Sequence, residues 1–173
     1  LLQPFKTKNL TFKNRIVHAP TTMNMSDDKG YVTRKAVGAY EALAAGGFGA
    51  VCVGATCVRW DGLINERMFG IYDDTYIISH REMVEVIHQN GALAGLQLFY
   101  GGLIPGVGAT TPLEPGKGWI PGTVSWGPTG KYPIGNPQPG VLTTEDYDQL
   151  VEDFAQAARR AKVLQSLPDW AAK

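Results

Sequence analysis

The sequence predicts an α/β fold built on a parallel sheet, and three observations carry that expectation. Strand-length apolar runs alternate with segments of helical period, the order of βαβ units. The clearest runs are apolar throughout, as in strands covered on both faces. Glycines, prolines and capping residues mark most changes of period.

Taken in order, residues Pro4–Asn14 read as a small hairpin, with Phe5-Lys6-Thr7 and Leu10-Thr11-Phe12 about a turn at Lys8-Asn9. Ile16-Val17-His18-Ala19 is a short strand stopped by Pro20, and a polar loop follows over Thr21–Gly30. Thr33 caps a helix through Val37, Tyr40 and Leu43, with Gly46-Gly47 just past its end. Ala50–Ala55 has the length and composition of a buried strand. Ser79 and Glu82 have capping-box spacing and open a helix carrying Met83, Val84 and Ile87, which ends at Asn90-Gly91. Ala92–Leu98 is another buried strand. Thr143 and Asp146 start a last helix with Tyr147, Leu150, Val151, Phe154, Ala158 and Ala161 on one stripe.

One stretch breaks the alternation. Gly101–Gly140 holds eight of the 11 prolines and eleven of the 21 glycines, with Trp119 and Trp126 among them. It is too rich in breakers for a helix, and residues 101–142 read as a lid or long loop excursion.

The whole chain of 173 residues suits one domain, and 44% apolar against 18% charged residues supports a packed core. Sixteen basic residues balance 16 acidic ones without a basic cluster, which argues against nucleic acid or an anionic membrane as partner. Two cysteines, Cys52 and Cys57, are too few for a disulfide framework or a zinc site, so a reducing cytoplasm is expected. No apolar run approaches the ~20 residues of a membrane helix. Cys52 and Cys57 are expected in the core, His18 as a core histidine bonded to backbone, and His80 and His88 as solvated. Right-handed crossovers leave two architectures open: a doubly wound sheet, or part of a barrel.

The motifs choose between them. Leu2-Gln3-Pro4-Phe5 and Asn9 through Pro20, Gly30-Tyr31-Val32-Thr33, Tyr40 through Gly47, Gly91 through Leu98, Leu142 through Asp146, and Asp153 through Lys162 occur in an order that resembles the old yellow enzyme (NADH:flavin oxidoreductase) family. The resemblance implies a (β/α)₈ TIM barrel with an N-terminal hairpin plug, of which about three βα units are present and the C-terminal part is not. Residues 1–173 would then be the N-terminal part of an FMN-binding domain.

The same resemblance implies roles at strand ends, where barrels place their chemistry. Ala19, Pro20 and Thr21 would lie against the FMN ring by backbone. The Thr22 hydroxyl would sit near flavin O4, where a donor stabilises the reduced form. Ala55 would offer its backbone near the same edge. Gln97 would present its amide, both donor and acceptor, to the O2/N3 rim. A buried amide inside an apolar strand needs partners, and a neighbouring strand's backbone is not expected to supply them. The complete protein would pass a hydride from NAD(P)H through FMN to an activated alkene.

Three departures qualify this. Gly54 stands where relatives often carry Glu. Phe99-Tyr100-Gly101-Gly102-Leu103 replaces an aromatic-His-Ala-Gly-Arg pattern. Residues 163–173, beginning Val163-Leu164-Gln165-Ser166, leave the family pattern where strand 4 and its substrate-gripping histidines are expected. The chain alone is therefore expected to be inactive. The alternative is a non-catalytic half-barrel that self-associates through open sheet edges. An aldolase-like reading fails for want of a lysine at a strand end.

Overall fold

The computed structural model describes residues 1–65, 67–102, 126–127 and 140–166. The hairpin is present, with β1 (Phe5–Lys6) antiparallel to β2 (Thr11–Phe12). Phe5 and Phe12 pair across it at 6.0 Å, and Arg15 lies over the Phe5 ring at 5.0 Å. Most of the Gly101–Gly140 stretch, including Trp119, lies outside the described residues. Its described part holds the two-residue strands β7 (Trp126–Gly127) and β8 (Gly140–Val141), which pair in parallel.

Three parallel strands form the centre: β3 (Val17–Thr21), β4 (Ala50–Cys57) and β6 (Leu93–Phe99), with β4 in the middle. A two-residue strand, β5 (Phe69–Gly70), pairs with the end of β4. Helices α1 (Arg34–Ala45), α2 (Thr75–Gln89) and α3 (Thr144–Ser166) supply the crossovers and a final layer.

All three helices cover the same face. Val51 and Val53 of β4 pack with Val37, Tyr40, Met83 and Ile87 of α1 and α2. Ala94 and Leu96 of β6 touch that cluster and also the one containing Tyr76, Val84, Ala157 and Leu164 of α2 and α3. A doubly wound sheet would carry helices on both faces. Sequentially ordered parallel strands with helices on one side are instead a section of a barrel wall. Among the described residues, the other face is uncovered at Val17, 52% exposed, and at Gln97, which is exposed too.

Several sequence expectations are corrected. The first strand does not stop at Pro20 but runs through it to Thr21. The register of β3 on β4 shifts between His18↔Val51 and Thr21↔Val53, so Ala19 and Pro20 together oppose Cys52. Proline has no N–H for the ladder, and an irregular register is where that is tolerated. Helix α2 starts at Thr75, four residues before Ser79. The earlier start buries Tyr76, which stacks on Tyr31 at 4.5 Å, and Asp73 accepts from the Thr75 amide at 2.8 Å. Ser79 therefore sits inside the helix and donates back to the Tyr76 carbonyl at 3.1 Å.

Thr33 caps α1 as expected, accepting from the Ala36 amide. Thr143 and Asp146 cap α3 reciprocally, Asp146 Oδ2 accepting from the Thr143 amide at 2.8 Å and Thr143 Oγ1 from the Asp146 amide at 3.2 Å.

His80 is not solvated but completely buried. His18 is half-buried and packs edge-on against Phe48 at 5.6 Å, and among the described residues its Nδ1 has no hydrogen-bond partner, so that nitrogen does not make the expected backbone bond. Cys57 is fully buried and Cys52 half-buried. Among the described residues, no helix is long and apolar enough to cross a membrane.

Candidate functional site at the strand tips

The residues singled out in the sequence fall on two irregularities in one sheet. The row Thr21–Val53–Leu96 runs straight across β3, β4 and β6. Just before it, Ala19 and Pro20 oppose the single residue Cys52. Just after it, Gly54 and Ala55 oppose the single residue Gln97, because pairing resumes at Thr56↔Leu98. Two-against-one registers bend a strand and re-aim its side chains, and they cluster beside sites.

The second irregularity is held by side chains. The Gly54 N–H donates to the Tyr40 hydroxyl of α1 at 3.3 Å. The Ala55 N–H donates to Gln97 Oε1 at 3.1 Å. Burial raises the pKa of the Tyr40 phenol, a rise that the Gly54 N–H partly offsets and nearby Cys52 adds to. Gly54 is required here because a Cβ would lie 2.1 Å from the Thr21 carbonyl oxygen. That close approach sets β3 tightly against β4 just below Thr22.

Gln97 departs from expectation in two ways. It is exposed on the open face rather than buried. A neighbouring strand's backbone does use its side chain, since the register shift releases the Ala55 N–H from the ladder. The amide is thereby oriented: Oε1 is engaged and Nε2 remains a donor directed away from Ala55. Ala55 itself is 4% exposed, and its side chain packs with Cys57 and Met68. Ala19, Pro20 and Thr21 are exposed and Thr22 half-buried. Thr21 Oγ1 donates to the Ala19 carbonyl at 3.4 Å.

The residues around this rim include some that the sequence reading passed over. Arg59 grips Asp61 through two bonds, 2.7 and 2.6 Å, and lies over the Tyr100 ring at 5.4 Å. Val58 donates to the Phe99 carbonyl at 3.0 Å and Gly101 to that of Gly62 at 2.8 Å, tying the loop after β4 to the end of β6. Burial beside Asp61 pushes the Tyr100 phenol up to about 12. Tyr100 is thus a packing residue against Gly62 and Arg59. The signal for this clamp was the Arg-x-Asp pair just after an apolar run. Among the described residues, no group of acidic, His and Cys side chains is placed to hold a metal.

Known proteins share the fold. The family model for the NADH:flavin oxidoreductase / NADH oxidase family matches residues 1–164. The chain is 34% identical over 163 residues to an NADPH dehydrogenase of Geobacillus thermodenitrificans and 33% identical to one of Listeria welshimeri. Each match takes 94% of this chain but 44% of the relative, so the chain spans under half the length of these curated relatives. Morphinone reductase superposes with a TM-score of 0.78 at 23% identity over 95% of this chain and 45% of its own. A 2-naphthoyl-CoA reductase complex superposes with a TM-score of 0.82 at 25% identity over 95% of this chain and 26% of its own. These likenesses agree with a partial α/β barrel. With a family match over nearly its whole described length, the chain belongs to the NADH:flavin oxidoreductase / NADH oxidase family.

Proposed function

We propose that residues 1–173 form the N-terminal, flavin-facing part of an FMN-dependent NAD(P)H oxidoreductase that acts, as a complete protein in the cytoplasm, on an activated alkene. The observation that carries this reading is the double register shift. It gathers Ala19, Pro20, Thr21, Ala55 and Gln97 at neighbouring strand tips and orients one free amide donor on the open face.

The fit to a flavin rim is chemical. Gln97 Nε2 would donate to a ring carbonyl, and the second lone pair of Oε1 would accept from the ring N–H. The Thr22 hydroxyl would donate to the other carbonyl, where added negative charge in the reduced ring strengthens the bond. Ala19, Pro20 and Thr21 would supply a backbone surface against the ring. Bound FMN supplies the hydride transfer itself.

Titration of FMN into the purified chain, followed by flavin fluorescence, tests the site. Gln97→Leu is expected to weaken binding about tenfold. Thr22→Val is expected to lower the reduction potential of the bound flavin. Equal affinity in the parent and Gln97→Leu overturns the assignment. The chain by itself is expected to oxidise NADH in the presence of an enone no faster than buffer. None of its three histidines is at a tip of the open face: His18 is in β3 before the shift, and His80 and His88 are in α2.

A second reading, association between copies, is favoured by Val17, whose 52% exposure leaves an apolar side chain on the uncovered face. Sedimentation as a concentration-independent monomer would remove it.

A further inference from the structure

His80 stands apart from the strand tips, on the opposite face of the sheet. It is 0% exposed, packed edge-on against Phe69 at 5.8 Å. Its Nδ1 lies 2.9 Å from the Tyr76 carbonyl, four residues back on α2. A carbonyl can only accept, so Nδ1 carries the proton. Burial pushes the imidazole down to about 4, so it is neutral near pH 7. Nε2 is then a bare acceptor, and among the described residues it has no partner although it is buried.

That side chain lines a partly open cavity of about 240 Å³ between α2, β6 and α3. The lining is mostly apolar, with Met83, Leu96, Leu98, Ala161 and Leu164 among its residues. The other polar side chains on it are Lys162 and Gln165. The Gln165 amide donates to the Ala94 carbonyl at 3.3 Å, and the Lys162 ammonium has no lone pair to compete as an acceptor. A dry apolar cavity of about 150 Å³ already admits benzene.

We infer that this cavity is a binding site for a small apolar molecule carrying one hydroxyl, of the size of a phenol, whose O–H donates to His80 Nε2. The site lies among the helices, away from the rim assigned to flavin, and does not depend on that assignment. Its chemistry is selective: a hydrocarbon of the same size leaves the buried nitrogen unpaired, whereas a hydroxyl satisfies it.

The test uses the full chain with phenol and toluene as probes. Affinities come from ligand titrations, and the imidazole ¹⁵N shifts of the parent chain are followed during the phenol titration. Phenol is expected to move the Nε2 resonance saturably. The ratio of phenol to toluene affinity is expected to fall at least about fivefold in His80→Leu, which keeps an apolar lining. Ala161→Phe, which fills the space, is expected to abolish binding of both probes. An unmoved Nε2 resonance at saturating phenol overturns the inference. So does an unchanged affinity ratio in His80→Leu, or an Nε2 satisfied by water alone with neither probe bound. Should His80→Leu fail to fold, the Nε2 shift and the Ala161→Phe titration decide the matter alone.

Discussion

At the end of the sheet where the strands begin, the chain consumes its own polar groups. Lys13 Nζ donates to the Asn90 carbonyl at 2.6 Å and reaches that of Ala44 at 3.5 Å, neutralising the C-terminal ends of α2 and α1. Asn14, 7% exposed, bridges the Gly47 carbonyl at 2.7 Å and the Ile16 amide at 3.0 Å. At the end where the strands finish, two registers slip, Gln97 stands exposed, and its Nε2 is left as a donor. Both ends are tight: a Cβ on Gly49 would lie 2.3 Å from the Asn14 carbonyl oxygen, and one on Gly54 2.1 Å from that of Thr21. They differ in whether the hydrogen-bonding groups left over face protein or the open side. In a barrel the first pattern serves stability and the second serves ligands.

The sharpest way to break this comparison is at the two glycines. Gly54→Ala and Gly49→Ala should each cost roughly 3 kcal/mol or more, because backbone rather than a flexible side chain opposes the new methyl. Urea unfolding measures both. A loss below about 1 kcal/mol at Gly54 means that β3 is not pressed against the second irregularity.

The helix layer offers a contrast that belongs to neither end. His80 has a folded pKa of about 4 against an ordinary 6.5. The unfolded chain therefore binds a proton that the folded chain refuses between those values, and stability rises with pH across that window. It is fully present above 6.5 and declines as the pH falls towards 4, by roughly 3 kcal/mol in the limit. His80→Leu should flatten that stretch of the stability–pH profile. An unchanged slope means that the imidazole is hydrated in the folded state.

Polar truncations at the two ends are smaller and should separate stability from binding. Asn14→Ala should cost roughly 2 kcal/mol by stranding buried partners, without altering FMN affinity beyond that. Gln97→Leu should cost less than about 1 kcal/mol, since water reaches the group it leaves, while flavin affinity drops. Thermal unfolding paired with flavin titration reads both. Equal destabilisation by the two changes erases the distinction drawn between the ends.

Much of this fold was legible because local chemistry agreed with the tertiary outcome. Thr33 and the Thr143–Asp146 pair cap helices where their spacing says they should. Ala50–Ala55 reads as a buried strand because helices cover one face and neighbouring strands flank both edges. The misreadings arose where tertiary packing overrode a local signal. Ser79 and Glu82 mimic a cap, but burying Tyr76 against Tyr31 draws the start of α2 back to Thr75. Pro20 reads as a strand stop, yet a slipped register asks no N–H of it. His80 occupies a helical position with polar neighbours in sequence, and only the docking of α2 on the sheet shows it to be internal. The strand-tip residues were found by resemblance, and no pattern in the chain announced the two-against-one registers that gather them. The Gln97–Ala55 bond depends on those registers, so it too was beyond sequence reasoning.

The most direct test follows backbone and side-chain amide resonances of the chain as FMN is added. The Gln97 Nε2 group and the amides of Thr22 and Ala55 should shift together with one saturation curve, while the Asn14 side-chain amide stays still. Shifts at Asn14 equal to those at Gln97, or none at the strand tips with flavin in large excess, would contradict the assignment of this end of the sheet to the cofactor.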